Sequence, residues 1–152
     1  MEDIIIIGGG IAGLTAGMYA MRAGMKTMLF EEMFVGGQIA TTYEIENYPG
    51  FVDPISGPDL AMALESHARK FGLEILYDGV KAIEIDGPVK KVITEDKEYE
   101  TKTIILATGA SPKTLGLDGE EKFRGRGVSY CATCDGTFYK DKVTAVVGGG
   151  DT

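Results

Sequence analysis

The sequence of 152 residues has little concentrated basic charge and no long apolar run. Its formal net charge is −8, and no cluster of lysines and arginines is available to neutralise phosphates, which argues against a nucleic-acid surface. No apolar stretch approaches the roughly 18 residues of a membrane span, and acids stand at the N-terminus where a signal peptide carries lysines. We therefore expect a soluble cytoplasmic protein that binds neither nucleic acid nor membrane.

Cysteine and histidine, the usual zinc ligands, are nearly absent. The chain has two cysteines, in Cys131-Ala132-Thr133-Cys134 followed at once by Asp135, and one histidine, His67. A structural zinc site usually needs about four such ligands, so we predict no metal site. A disulfide between such close neighbours closes a very short loop and stabilises a fold little. In a reducing compartment redox chemistry explains the pair better, although a structural disulfide and two inert buried thiols remain alternatives.

Glycine, by contrast, is abundant and clustered. The 22 glycines are about twice the usual share, and they concentrate in groups where a flexible linker would spread them. The groups are Gly8-Gly9-Gly10, Gly36-Gly37 and Gly148-Gly149-Gly150. They predict backbone turns that allow close approach.

The first thirty residues have the pattern of a β-α-β unit. Residues 4–7 are a continuous β-branched run followed by glycine, which is typical of a buried parallel strand. Apolar residues then recur at helical spacing from Ile11 until Gly24 stops the helix. Residues 26–30 predict a second strand, which ends at Glu31.

The turn between the first predicted strand and the helix is a GxGxxG motif, Gly8-Gly9-Gly10-Ile11-Ala12-Gly13. In dinucleotide-binding folds Gly8 permits the tight turn, Gly10 admits a pyrophosphate, and Gly13 lets the helix pack on the strand. The helix N-terminus offers free amides to the phosphates, and Glu31 is placed to accept a hydrogen bond from a ribose hydroxyl, with Glu32 as the second choice. A glycine turn without a nucleotide is the alternative.

The middle of the chain predicts a loop, a helix and several short strands. Residues 35–57 indicate a long irregular loop with one short helix, and residues 58–72 a helix. Strands are predicted at 73–77, 80–85, 89–94 and 97–101, the last three as an antiparallel meander, and at 103–107. We predict an α/β fold: a Rossmann-like domain with a parallel sheet and an inserted antiparallel meander.

The pattern of strand and glycine turn recurs near the C-terminus. Residues 143–147 predict a buried strand that runs into Gly148-Gly149-Gly150, where a helix should begin. A strand and turn without their helix would expose apolar surface, so we expect a piece of a longer protein. We divide the chain into a first domain of residues 1–110, an interdomain linker of residues 111–127, and the truncated start of a second Rossmann-like domain, 128–152.

Six short motifs, in this order, resemble those of the low-molecular-weight thioredoxin reductases. Besides the first glycine motif they are Gly36-Gly37-Gln38, Glu46-Asn47-Tyr48-Pro49-Gly50, Ala107-Thr108-Gly109-Ala110, Gly125-Arg126-Gly127-Val128-Ser129 and Cys131-Ala132-Thr133-Cys134-Asp135-Gly136. The resemblance spans the whole chain, and the last block is its most specific part. Lipoamide dehydrogenase and glutathione reductase carry their redox cysteines soon after the second strand, where this chain has none, so that branch is excluded.

The resemblance implies FAD in the first domain and NADPH in the second. The FAD contacts that it and the glycine motif imply are Gly8, Gly10, Ile11, Ala12, Gly13, Glu31, Gly37, Gln38, Asn47, Val80, Ala107, Thr108 and Gly109, and the NADPH contacts are Gly148 and Gly150. Of these, Gln38 and Asn47 are implied to lie near the flavin, although either could simply organise its loop. The full-length protein is implied to be a homodimer.

The resemblance also implies a route for electrons. NADPH reduces FAD, the flavin reduces a disulfide between Cys131 and Cys134, and the dithiol reduces thioredoxin or a thioredoxin-like protein. Family correspondence places Cys134 at the flavin and leaves Cys131 to attack the partner. Asp135 would donate and accept the proton, with a plain helix-start acid as the alternative. The linker would be one strand of a hinge between the domains.

Three alternatives stay open on the sequence. A related enzyme could take electrons from ferredoxin, or could pass them to a peroxiredoxin, and the residues that would select NADPH lie beyond Thr152. The chain could also be a nucleotide-binding module without catalysis. Residues 1–152 alone are expected not to turn over NADPH, because the remaining strands of the second domain are missing.

Overall fold

The computed structural model describes residues 1–149, with the backbone alone for residues 133 and 134. The chain divides into two compact units, Met1–Gly109 and a second that begins at Ala110. All the named strands and both long helices belong to the first unit.

The first unit is built on a six-stranded sheet with two helices. Its elements are β1 (Glu2–Ile7), α1 (Ile11–Arg22), β2 (Thr27–Glu31), α2 (Gly57–Lys70), β3 (Glu74–Tyr77), β4 (Ala82–Glu84), β5 (Lys90–Ile93) and β6 (Glu98–Leu106). The strands lie in the order β3-β2-β1-β6-β5-β4. β1 pairs in parallel with β2 and β6, and β2 with β3, whereas β4, β5 and the start of β6 are antiparallel. The predicted α/β fold is confirmed.

Neighbouring isoleucines of β1 fill two separate cores, one on each face of the sheet. Ile6 is fully buried in a cluster with Leu14 of α1. Ile5 is fully buried in another cluster with Phe30 of β2 and Val92 of β5. Because side chains alternate along a strand, only a run that is apolar at every position can supply both cores. The continuous apolar run of β1 therefore follows from burial on both faces.

Local capping residues account for the C-terminal ends of both helices and for the start of α2. Glycine at φ +75° follows α1 at Gly24, and glycine at φ +87° follows α2 at Gly72, a conformation that other residues rarely adopt. The N-cap of α2 is Ser56, whose hydroxyl accepts a hydrogen bond from the Asp59 amide at 3.2 Å. Among the described residues no helix is long and apolar enough to span a membrane.

β6 is one strand where two were predicted. The predicted break between residues 97–101 and 103–107 is wrong, because the strand continues through it. Thr101 is fully buried and lies opposite Glu2 of β1 on one side and Lys90 of β5 on the other. Its hydroxyl donates to the Thr103 carbonyl at 3.0 Å. β6 therefore pairs with antiparallel β5 up to Thr101 and with parallel β1 from Thr101 onward, and it continues as one strand.

The second unit is mostly irregular. It contains two single turns of 3-10 helix, Glu121–Phe123 and Gly136–Tyr139, and the short helix α3 (Ala132–Asp135). The predicted strand at residues 143–147 is wrong, since these residues are irregular and Val143 is fully exposed. A strand needs a neighbour for its backbone hydrogen bonds, and the described residues of this unit form no strand that could supply them.

Candidate cofactor and disulfide sites

The first glycine turn lies where β1 ends, beside the end of β6. The Gly8 amide donates to the Phe30 carbonyl at 2.8 Å, and the Ala107 amide donates to the Ile7 carbonyl at 2.8 Å. Gly8 has φ +108°, and a Cβ there would lie 2.3 Å from the Ala107 oxygen and 3.0 Å from the Thr108 amide nitrogen. Only glycine can occupy this position. The structure thus brings Gly8, Ala107 and Thr108 together.

Two other glycines of the motif differ in what surrounds them. A Cβ at Gly13 would lie 1.9 Å from the Gly8 carbonyl oxygen, so packing of α1 against the turn requires glycine there. Gly10 has an ordinary φ of −71°, and a Cβ there would meet no atom within 4 Å. Among the described residues, none lies where a side chain at Gly10 would be, so their packing does not require glycine there. Open space in front of this residue, at the start of α1, is what a bound pyrophosphate would need.

The second glycine pair forms another wall of the same turn. The Gly36 amide donates to the Gly9 carbonyl at 2.8 Å, and a Cβ at Gly37 would lie 3.5 Å from the Gly10 Cα atom. Both residues have positive φ, +106° and +58°. Gln38, exposed, follows in a turn of 3-10 helix over Gly37–Thr41. Two motifs far apart in the sequence are therefore adjacent in space.

Glu31 reaches the glycine turn from the end of β2. Its Oε2 atom accepts from the Gly9 amide at 2.7 Å, and its Oε1 atom accepts from the Met33 amide at 3.2 Å. The side chain was predicted to accept from a ribose hydroxyl, and each carboxylate oxygen keeps room for a further hydrogen bond. The bond to Gly9 was not foreseen, although Gly9 lies inside the motif.

The remaining predicted FAD contacts lie elsewhere in the first unit. Asn47 is exposed in the long loop before α2. Val80 is partly buried against the Ile5 cluster. Gly109 has φ +67° and open space where a Cβ would be. Among the described residues, neither Asn47 nor Val80 takes part in the glycine-turn contacts given above.

The second unit holds the cysteine motif. Cys131 is disulfide-bonded and partly buried. The Ser129 hydroxyl oxygen accepts from the Cys131 amide at 3.1 Å and donates to Asp135 Oδ2 at 2.7 Å. The Asp135 amide donates to the Cys131 carbonyl at 3.0 Å. Cys131 and Asp135 are thus brought together through Ser129, which the sequence did not single out, although it closes one of the family-like motifs. The Cys134 side chain lies outside the described part.

The segment before Cys131 is held by a nearly buried carboxylate. Glu120 is 8% exposed and accepts from the Leu115 amide at 2.8 Å, the Leu117 amide at 3.0 Å and the Tyr130 hydroxyl. The Tyr130 hydroxyl, followed by these amides, lowers the pKa of Glu120 to about 2. The same bond to Glu120 raises the pKa of Tyr130, and the Arg124 guanidinium lies 5.3 Å from the centre of its ring. A single carboxylate therefore joins two stretches of the second unit.

The predicted NADPH contacts are only partly described. Gly148 has φ +105° and open space where a Cβ would be. Gly150 lies outside the described residues. Within the described part of the chain, no group of three histidine, cysteine, aspartate or glutamate residues could hold a metal ion.

The chain matches a known family over almost its whole length. Residues 2–152 match the pyridine nucleotide-disulphide oxidoreductases. The chain belongs to this family. It is 49% identical over 150 residues to the thioredoxin reductase of Peptoclostridium acidaminophilum. This alignment covers 99% of the present chain and 48% of that protein.

Solved oxidoreductase structures share the fold. The thioredoxin reductase of Streptococcus pyogenes has a TM-score of 0.82 at 50% identity, covering 93% of this chain and 46% of that one. A ferredoxin-flavin thioredoxin reductase of Clostridium acetobutylicum has a TM-score of 0.69 at 34% identity, covering 91% and 48%. The chain spans about half the length of these relatives. The resemblance to thioredoxin reductases is confirmed.

The Glu120 cluster predicts a local dependence on pH. Because the folded pKa of about 2 lies below the ordinary 4.5, the stabilisation from this carboxylate is fully present above about pH 4.5. It is lost as the pH falls toward 2. We expect the NMR signals of the Leu115 and Leu117 amides to titrate with a midpoint near 2, and Glu120→Gln to abolish that titration.

A neighbouring carboxylate provides the control. Glu121→Gln removes a group that is 81% exposed at the side chain and only 3.6 Å from Arg124, so the midpoint should stay near 2. A midpoint near 4.5 in the unsubstituted chain would contradict the described hydrogen bonds.

Proposed function

We propose that the whole protein carrying this chain is a flavin-dependent disulfide oxidoreductase that passes electrons from NADPH, through FAD and the Cys131–Cys134 disulfide, to thioredoxin or a similar protein. The observation that carries this proposal is the disulfide-bonded Cys131 with Asp135 held beside it through Ser129. The family supports disulfide reduction. The thioredoxin reductases it resembles support the partner.

The glycine turn supports FAD as the resident cofactor. Gly8 and Gly13 are glycine because the chain packs too closely for any side chain, whereas Gly10 is glycine beside open space. That contrast fits a pyrophosphate lying against Gly10 and the first amides of α1. In the proposal Glu31 binds the ribose, and Gly37 and Gln38 line the adjoining wall. FAD, when bound, supplies a carrier that takes two electrons from a nicotinamide and gives them to a disulfide.

The cysteines divide the exchange between them. In the proposal Cys131 attacks the partner and Cys134 faces the flavin, as in the family that the chain resembles. A thiol must lose its proton to become the nucleophile, and the leaving partner thiolate must gain one. In the proposal Asp135 carries that proton, and the hydrogen bonds that tie it to the turn holding Cys131 support this role.

A second candidate differs only in its electron donor. The likeness to a ferredoxin-flavin thioredoxin reductase favours a protein in which reduced ferredoxin takes the place of NADPH. Gly148 and Gly150 would then lose their proposed nicotinamide role. The remaining assignments, from the glycine turn to Asp135, would stand.

Two coarser features complete the proposal. A catalytic cysteine pair that must be reduced in each cycle fits a reducing compartment, so a cytoplasmic location is proposed. A homodimer is proposed for the full-length protein on the resemblance alone. The division into an FAD-binding domain of residues 1–110, a linker and an NADPH-binding domain from residue 128 is proposed on the same ground.

The visible spectrum of the full-length protein tests the function. We expect a flavin band that NADPH bleaches without oxygen and that oxidised thioredoxin restores. A flavin band bleached only by reduced ferredoxin would favour the second candidate, and the absence of a flavin band would favour a module without catalysis. Residues 1–152 alone are expected not to oxidise NADPH, because the chain spans about half of its relatives.

Alanine at two glycines separates a ligand role from a packing role. We expect Gly10→Ala to leave the free energy of unfolding within about 1 kcal/mol of the native value and to weaken FAD binding roughly tenfold or more. Gly13→Ala should cost about 2 kcal/mol, because its Cβ would meet the Gly8 oxygen at 1.9 Å. Urea unfolding and FAD titration measure the two effects. Native FAD affinity in Gly10→Ala would contradict the assignment of the open space.

A further inference from the structure

Ser129 is the centre of the hydrogen bonds around the cysteine motif. Its hydroxyl oxygen lies 2.7 Å from Asp135 Oδ2, 3.1 Å from the Cys131 amide nitrogen and 3.2 Å from the Cys131 carbonyl oxygen. The carbonyl of Cys131 also accepts from the Asp135 amide at 3.0 Å. One small side chain thereby contacts both the backbone that carries the reactive sulfur and the carboxylate that follows it.

The hydroxyl has two acceptors within reach but only one proton to donate. The shorter distance gives that proton to Asp135 while the oxygen accepts from the Cys131 amide. If Asp135 takes up a proton of its own, the Ser129 proton can turn to the Cys131 carbonyl and the oxygen can accept from Asp135. Ser129 can therefore remain bonded to Asp135 in both of its protonation states.

The geometry points to Ser129 as a positioning residue for thiol–disulfide exchange, a role that rests on the proposed function. It binds Oδ2 of Asp135 and leaves Oδ1 for the proton in transit. The Ser129 hydroxyl oxygen also accepts from the Cys131 amide. The backbone of Cys131 and the carboxylate of Asp135 are therefore held at a fixed distance from each other. No contact between Ser129 and the reacting sulfur is required.

The exchange step balances with these groups. Cys131 loses its thiol proton to Asp135, and the thiolate attacks one sulfur of the partner disulfide. A mixed disulfide forms as the partner bond breaks, and the leaving partner thiolate takes the proton from Asp135. Cys134 then attacks the Cys131 sulfur, which restores the internal disulfide, and the second partner thiolate takes the proton that the Cys134 thiol gave up. The cysteines are oxidised by two electrons and the partner is reduced by two.

A plain structural role for Ser129 gives different expectations. A serine that only caps the turn through the Cys131 amide would affect folding, and its effect on turnover would add to that of Asp135. A positioning residue acts through Asp135, so its removal should change nothing once that carboxylate is absent. Comparing single and double variants therefore separates the two roles.

The test uses the full-length, FAD-loaded protein with its disulfide partner. We expect Ser129→Ala to lower kcat roughly tenfold with little change in KM for the partner, and Ser129→Thr, which keeps the hydroxyl, to restore most of it. Asp135→Asn should lower kcat roughly a hundredfold, and adding Ser129→Ala to it should lower kcat no further. Ser66→Ala, at an exposed serine of α2 that has no part in the proposed sites or the hinge, is the control and should behave as the native protein.

Several outcomes would overturn the inference. A native kcat in Ser129→Ala, additive losses in the double variant, or a Ser129→Thr variant as slow as Ser129→Ala would each exclude a positioning role. If Ser129→Ala fails to fold, Ser129→Thr still decides, because a folded threonine variant that keeps the hydroxyl but is slow contradicts the claim that this hydroxyl positions Asp135. A native protein that reduces no disulfide would instead overturn the proposed function, and this inference with it.

Discussion

The structure depends on backbone segments approaching more closely than any side chain would allow. At the end of β1, a Cβ at Gly8 would meet Ala107 of the adjoining strand end at 2.3 Å, and a Cβ at Gly13 would meet Gly8 itself at 1.9 Å. Pairing of β1 with β6 and packing of α1 both require these contacts. Glycine at both positions is therefore a condition of the fold, before any cofactor is considered.

The space around each glycine of the turn distinguishes glycines that the fold requires from one that a ligand would require. Gly10 lies two residues from Gly8, yet a Cβ at Gly10 would meet no described atom within 4 Å, so the described residues give no packing reason for glycine there. Gly36, Gly37 and Glu31 close the turn from the other side through bonds to Gly9 and proximity to Gly10. In the second unit Ser129 and Glu120 play a comparable part, since each holds a segment at the cysteine motif through several hydrogen bonds.

Sequence reasoning succeeded where the deciding interactions are local and failed where they are not. The β-α-β unit and both long helices follow from periodicity, caps and glycine stops. The continuity of β6 depends on Thr101, whose burial and change of neighbour are tertiary facts. Residues 143–147 have the composition of a strand, but a strand exists only with a hydrogen-bonded neighbour. The bonds from Glu31 to Gly9 and from Ser129 to Asp135 join residues that no spacing rule pairs.

The central claim is that one flavin and the disulfide at Cys131 act as a single redox unit. Anaerobic reductive titration of the full-length protein, with the flavin band followed to complete bleaching, measures this directly. The account predicts uptake of about four electrons per flavin, two by the flavin and two by the disulfide, and about two in a Cys134→Ser variant. Uptake of about two electrons by the native protein would contradict it, because the disulfide would then lie outside the path of the electrons.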